Sequence, residues 1–330
     1  MSKTLKNTLY LILSTLVGVA MMAWLYRGFN FAALSQFFSE PRHYVWITLV
    51  LVAGLVANVL RAMRWHMLLS SAHICISLRR AVELIFITYL INSVTPRLGE
   101  LVRSLLVKRG NADVSTRALG TVVVEKAADV GFLIVLIGLA VSLRWTKTVE
   151  LANSLSDRLT FAIPSYLFYI IVGSLVCLLI GLSFPLWRYL RRFFSNLWQG
   201  IASIARLQSP LTFAVLCTGI WACNFLQLYL LIPCFDLAST VSVADMLHVF
   251  AAASVGVLLP TPGGAGPWHY AVVKTLTGIY HVARSTAQSL ALISHGLKTV
   301  LVLLLGVLGY VSYYRSVWNA MQRRRRRLHK

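Results

Sequence analysis

Asn92–Arg103 reads N-S-V-T-P-R-L-G-E-L-V-R. It interrupts an apolar chain with a proline, a glycine and three charges. Proline lacks the N–H that a helix interior needs and glycine frees the backbone, so Pro96 and Gly99 predict a break in the helix. Arg97, Glu100 and Arg103 stand three apart, which places them on one face of a short helix. A second break, Leu259–Pro267 (L-P-T-P-G-G-A-G-P), lies far downstream. The two stretches predict the turns of two helical hairpins that dip into a membrane and meet near its middle.

The surrounding chain sets the solvent. Of its 330 residues, 58% are hydrophobic and only 12% are charged, against roughly 25% charged in a soluble domain. This composition predicts a polytopic membrane protein without a sizeable soluble domain. The net charge is +21. Cytoplasmic loops of membrane proteins collect Lys and Arg, and a basic excess also suits anionic lipid headgroups. The charges lie between apolar runs, so nucleic acid is not expected as a partner. The five cysteines (Cys75, Cys177, Cys217, Cys223 and Cys234) show no C-x-x-C spacing and read as packing residues.

Six runs are long enough to cross a bilayer, which takes about 20 residues. They are Asn7–Tyr26, Tyr44–Leu60, Ala118–Leu143, Phe161–Trp187, Leu211–Leu231 and Ala287–Tyr313. Two further apolar runs, Ala81–Val107 and Val243–Tyr280, are each broken near the middle. If the N-terminus is cytoplasmic and each broken run enters and leaves on one side, 22 Lys and Arg fall inside and 6 outside, leaving Lys126, Lys274 and Lys298 within apolar runs. That asymmetry favours this topology. The expected fold is therefore all-α, a single membrane domain over residues 1–330 with six full spans and two re-entrant hairpins. Residues 1–150 and 160–315 then have the same element order in opposite orientation, the pattern of an inverted repeat with its site at the repeat interface. Trp187–Leu207 reads as an amphipathic surface helix, and the polybasic tail within 316–330 as a cytoplasmic anchor.

Charges at membrane depth are costly and mark candidate sites. Glu125 lies seven residues into its span, about 10 Å deep at 1.5 Å per residue, with Asp129 one turn further on. These two carboxylates either neutralise Lys126, Arg97 and Arg103 or serve a ligand. Lys298 lies mid-span, one turn after His295, and needs a carboxylate or water; Glu100, Glu125 and Asp129 are the available partners. Around the second break, Pro260, Pro262, Gly263, Gly264 and Gly266 leave backbone groups without helical partners, so the turn must line an enclosed or wet cavity. The following helix would point its positive end at that cavity. With Arg97 and Arg103 this makes a site suited to phosphate. Asn92 and His269 complete the candidate set. The glycines are no nucleotide-binding loop, since no strand precedes them and no G-K-[ST] follows. H-E-x-x-H, G-x-S-x-G and clustered metal ligands are missing from the sequence, and no cofactor or metal is expected.

N-S-V-T-P-R-L-G-E-L-V-R at 92–103, E-K-A-A-D at 125–129 and P-T-P-G-G-A-G at 260–266 together resemble the transmembrane, flippase-like domain of lysylphosphatidylglycerol synthases, including its stand-alone members. The resemblance covers nearly the whole chain. It implies movement of a lipid between leaflets, while in the fused synthases a separate cytoplasmic domain attaches the amino acid. This chain stops after its last span and is expected to lack that transferase activity. The family often has Arg where this chain has Lys126, and Glu where it has His269.

The function expected is a lipid flippase or transporter of the bacterial inner membrane, with both termini cytoplasmic. Its partners would be membrane lipids with an anionic or phosphate-bearing headgroup. Arg97 and Arg103 would engage the phosphate, while Glu100, Glu125 and Asp129 orient them or receive a cationic headgroup. The alternatives are a membrane-embedded lipid-modifying enzyme, or a non-catalytic partner of a separately encoded one.

Overall fold

The computed structural model describes residues 15–95, 97–107, 111–150, 207, 209–259 and 261–328. Its helices are α1 (Thr15–Leu25), α2 (Ala32–Ser39), α3 (His43–Ser71), α4 (Leu78–Val94), α5 (Leu98–Leu106), α6 (Ala112–Leu143), α7 (Pro210–Tyr229), α8 (Val243–Gly256), α9 (Pro267–Gly278) and α10 (Arg284–Leu328). The expected span Phe161–Trp187, nearly all of Trp187–Leu207, the start of the first span, and Pro96 and Pro260 lie outside the described residues. Phe161–Trp187 is the first span of the expected second half-repeat.

Three helical runs are long and apolar enough to cross a membrane: His43–Ser71, Pro210–Phe235 and Arg284–Asn319. Their outer faces, with that of α6, expose Val52, Ile134, Val135, Val215, Leu304 and Leu308. So much apolar surface suits lipid and not water. The chain is an all-helical, multi-pass membrane protein.

The Asn92–Arg103 stretch does fold back on itself. Thr95, restricted by the proline that follows it, is extended. Arg97 then takes a left-handed conformation with φ 59°, and α5 returns along α4. Arg97 thus precedes the helix and does not share the face that carries Glu100 and Arg103, as its spacing had suggested. Asn92 closes the turn: its Oδ1 accepts the Gly99 N–H at 2.8 Å, and its Nδ2 donates to Glu100 Oε2 at 3.1 Å. Gly99 lies so close to α4 that an added Cβ would stand 2.2 Å from the Thr88 carbonyl oxygen. The second hairpin pairs α8 with α9 through a turn in which Gly263, Gly264 and Gly266 all have positive φ, a region that costs side-chain-bearing residues about 1 kcal/mol or more each.

The two hairpins open toward opposite ends of α6. At its start, Ala72, Ile74, Ala81, Val107 and Val114 share one core, which joins the mouth of the first hairpin to the end of α3. At its far end, Arg144 bonds Asp245 and Ser242 at the start of α8, and Lys147 donates to the Ile279 carbonyl just past α9. The tips meet between these ends. Arg97 Nη2 donates to the Leu258 carbonyl at 2.8 Å, and α4 packs on the Pro262–Gly264 turn. α10 runs alongside, touching α4 through Gly306 and Gly309, where an added Cβ would stand 2.4 Å from Leu90 Cβ and 2.8 Å from Phe86 Cβ. Without a hydrophobic force between helices in lipid, such close backbone approach is what holds them.

The second span differs from its expected extent. The apolar run stops at Leu60, but α3 continues to Ser71, because arginine is a good helix former and a charge does not by itself end a helix. Arg61 and Arg64 therefore sit within a helix and not in a loop.

Gly99→Ala should lower the stability of the detergent-purified protein by about 1–3 kcal/mol or more, the usual cost of overpacking. Gly131→Ala, with nothing within 4 Å of the new methyl, should leave the melting curve in place. Equal behaviour of the two variants would argue against the packed first hairpin.

Candidate functional site

The centre of the molecule is built from charges on three helices. Arg64 of α3 is fully buried. Its Nη1 donates to Asp129 Oδ1 at 2.7 Å, and its Nη2 lies 3.3 Å from Glu125 Oε1. The other oxygen of Glu125 accepts from Arg103 Nη2 at 2.7 Å. Arg103 also stacks its guanidinium 4.4 Å above the ring of Trp65, and Trp65 in turn donates Nε1–H to Thr121 Oγ1 at 3.1 Å. One turn N-terminal to Arg103, Glu100 faces Lys126 Nζ at 3.0 Å and accepts from Asn92. Three cations and three carboxylates therefore neutralise one another where α3, α5 and α6 converge.

Helical geometry explains the pairing. Glu125 and Asp129, four apart on α6, share a face and both reach Arg64. Lys126, adjacent to Glu125, points elsewhere because neighbours on a helix do not face each other, so it pairs with Glu100 across the hairpin. Arg103 is 1% exposed and held by Glu125 and Trp65; it joins the charge network at the foot of the site. Its Nε and the Nε and Nη2 of Arg64 lack hydrogen-bond partners among the described residues.

The expected ion pair of Lys298 does not form. All three carboxylates are taken by other cations, and Lys298 makes no ion pair among the described residues. Lys298 is exposed as a residue, and the charge acting on its ammonium is a like one, Arg61. Arg61 donates to Asn224 Oδ1 at 3.1 Å, lies 5.3 Å from the centroid of Tyr89, and also has no carboxylate partner among the described residues. Tyr89 in turn is close enough to Lys126 to act on it electrostatically. Arg61 thus stands near both Tyr89 and Lys298, and Tyr89 near Lys126.

His269 is buried and stacks on His295 with centroids 4.6 Å apart and planes 27° apart; its Nδ1 is without a hydrogen-bond partner among the described residues. His295 is one turn from Lys298, so the histidine pair connects the Pro262–Gly266 turn to the cationic region. Gly263 is open on its Cβ side, with nothing within 4 Å. Arg97 is exposed at the junction of the two tips. The structure therefore gathers Asn92, Glu100, Arg103, Glu125 and Asp129 into one network. It sets Arg97 against the second tip, beside which lie Pro262, Gly263, Gly264, Gly266 and His269. Lys298 stands apart from the carboxylates, with Arg61. Sequence reasoning missed Arg61 and Arg64, whose signal is the return of apolar residues after them, at Trp65, Met67, Leu68 and Leu69. Among the described residues no three His, Cys, Asp or Glu side chains gather as metal ligands would.

Fold and site together define a multi-pass helical membrane protein with a charge network at its centre. Residues 11–306 match the family model described as the lysylphosphatidylglycerol synthase TM region. The chain belongs to that family, which ties it to membrane lipid metabolism or transport. A search of curated proteins finds no significant match.

Removing one member of the central network should be costly, because an uncompensated buried charge remains. Arg64→Ala should destabilise the protein by about 3–5 kcal/mol, read as a lower unfolding midpoint in detergent. Lys298→Ala, which breaks no ion pair, should shift that midpoint little. The reverse order would contradict the pairing.

Proposed function

We propose that this protein moves an anionic, phosphate-bearing lipid headgroup between leaflets of a bacterial cytoplasmic membrane, with the acyl chains remaining in lipid. The supporting observation is the imbalance of charge at the core. Glu100, Glu125 and Asp129 are each matched to a cation, whereas Arg61 and Lys298 repel each other without a carboxylate between them. A pair of uncompensated cations at membrane depth calls for an anion. Among the described residues of this core no carboxylate is left over to hold an amine, which favours an anionic headgroup over an aminoacylated one.

In this reading both hairpins are re-entrant, the first opening toward the cytoplasm and the second toward the opposite face. A headgroup entering beside them meets Arg61 and Lys298, the exposed Lys126, and the backbone groups of the Pro262–Gly266 turn. Arg97 links the two tips. Arg103, Glu125, Asp129 and Arg64 hold the first hairpin in place and act on the headgroup through position. The histidine pair beside Lys298 supplies two stacked imidazoles that border the headgroup's path.

The test is a leaflet-accessibility assay in proteoliposomes with a phosphatidylglycerol analogue. Arg61→Ala and Lys298→Ala should each slow transport about tenfold or more, as expected for loss of a charged hydrogen bond, without the stability loss of Arg64→Ala. Wild-type rates in both variants would refute the assignment. Disappearance of one lipid species from deletion cells, with leaflet distribution unchanged, would identify an enzyme instead.

A further inference from the structure

A second cationic recess lies away from the central network, at the end of the molecule where the second hairpin opens. It has a volume of about 170 Å³ and is lined by Trp24 and Leu25 of α1, by Tyr270, Lys274 and Thr277 of α9, and by Arg284 at the start of α10. Trp24 and Tyr270 form an aromatic wall, with ring centroids 6.0 Å apart. Lys274 sits within an apolar run and makes no hydrogen bond or ion pair among the described residues. Its side chain extends toward the end of its own helix, with Nζ 3.8 Å from where a Cβ on Gly278 would stand. Arg284 is fixed to the same wall by a hydrogen bond to the Leu25 carbonyl at 3.4 Å.

Among the described residues no carboxylate lines this recess. Two acids at the same end of the molecule are engaged elsewhere, Asp245 with Arg144 and Glu150 with Lys147. Trp24 is 61% exposed, as expected of a tryptophan at the headgroup level of a bilayer. A cleft with two cations, no anion and an aromatic wall at that level matches a phosphate group whose apolar continuation lies along the ring faces.

We infer that the recess of Trp24, Tyr270, Lys274 and Arg284 binds a phosphate group, as borne by an anionic phospholipid of the leaflet on the second hairpin's side. Lys274 and Arg284 hold the phosphate oxygens, and Trp24 and Tyr270 flank the glycerol portion. The site stands on its own geometry and does not require that the central region transports lipid.

It can be tested with a photo-crosslinking phenylalanine analogue at Thr277, in liposomes of equimolar phosphatidylglycerol and phosphatidylcholine, with captured lipid identified by mass spectrometry. Phosphatidylglycerol should be enriched over phosphatidylcholine, and a Lys274→Ala/Arg284→Ala double variant should lose the enrichment by about tenfold. Lys274→Arg should retain it. Arg61→Ala and Lys298→Ala should leave it unchanged even if they abolish transport, so the two proposals fail separately. Capture that withstands inorganic phosphate in the buffer assigns the site to the lipid, and capture displaced by it assigns the same site to the free ion. Equal capture of both lipids, or enrichment that survives the double variant, would overturn the site.

Discussion

Six charges at the centre of an apolar molecule must cancel, and that requirement organises the rest. Each of Arg64, Arg103 and Lys126 taken singly would be prohibitive in hydrocarbon. They are tolerated because Glu125 binds two guanidiniums at once, Asp129 shares Arg64 and Glu100 answers Lys126. The pairs bridge α3, α5 and α6, so the return limb of the first hairpin is tied to two long helices at one point. Asn92 and Gly99 then set how closely that limb lies against α4. The hairpin's tip is fixed as a result, and Arg97 reaches the Leu258 carbonyl of the second hairpin.

The balance also explains what is left over. A network with equal numbers of acids and bases has nothing to give to cations outside it. Arg61 and Lys298 are such cations, carried on α3 and α10, and they flank the region beside Tyr89 and the histidine pair. Strong pairing at one level of the molecule and unmet charge at the next separate a part that holds the fold from a part able to hold a ligand. Neither part could be assigned from its basic residues alone, since both contain an arginine and a lysine.

Much of this was legible in the sequence, and the failures have physical causes. Pro96 and Gly99 marked a break that became a hairpin, and three glycines after Pro262 marked a turn that has positive φ at all three. The depth of Glu125 identified a buried acid, and Asp129, one turn on, is half-buried beside it. What could not be read was partner choice. Lys298 was expected to meet one of the carboxylates, but a helix position fixes only depth and face, and the carboxylates turned to Arg64, Arg103 and Lys126 instead. Arg64 was hidden by the habit of ending a span at its first charges; the apolar residues after it show that the helix continues. Arg97 was placed on a helix by its spacing, whereas the turn forced it into a left-handed conformation one residue before the helix begins.

The opposed openings of the two hairpins can be measured directly with a membrane-impermeant thiol reagent on sealed vesicles. One variant retains Cys75, an exposed residue just before α4, as the single cysteine. The other has Cys75→Ser and Ser239→Cys, which moves the single thiol to the loop before α8. Reaction of the two thiols from opposite faces of the membrane is the expected result. Reaction of both from the same face would contradict hairpins that enter from opposite sides and meet at their tips.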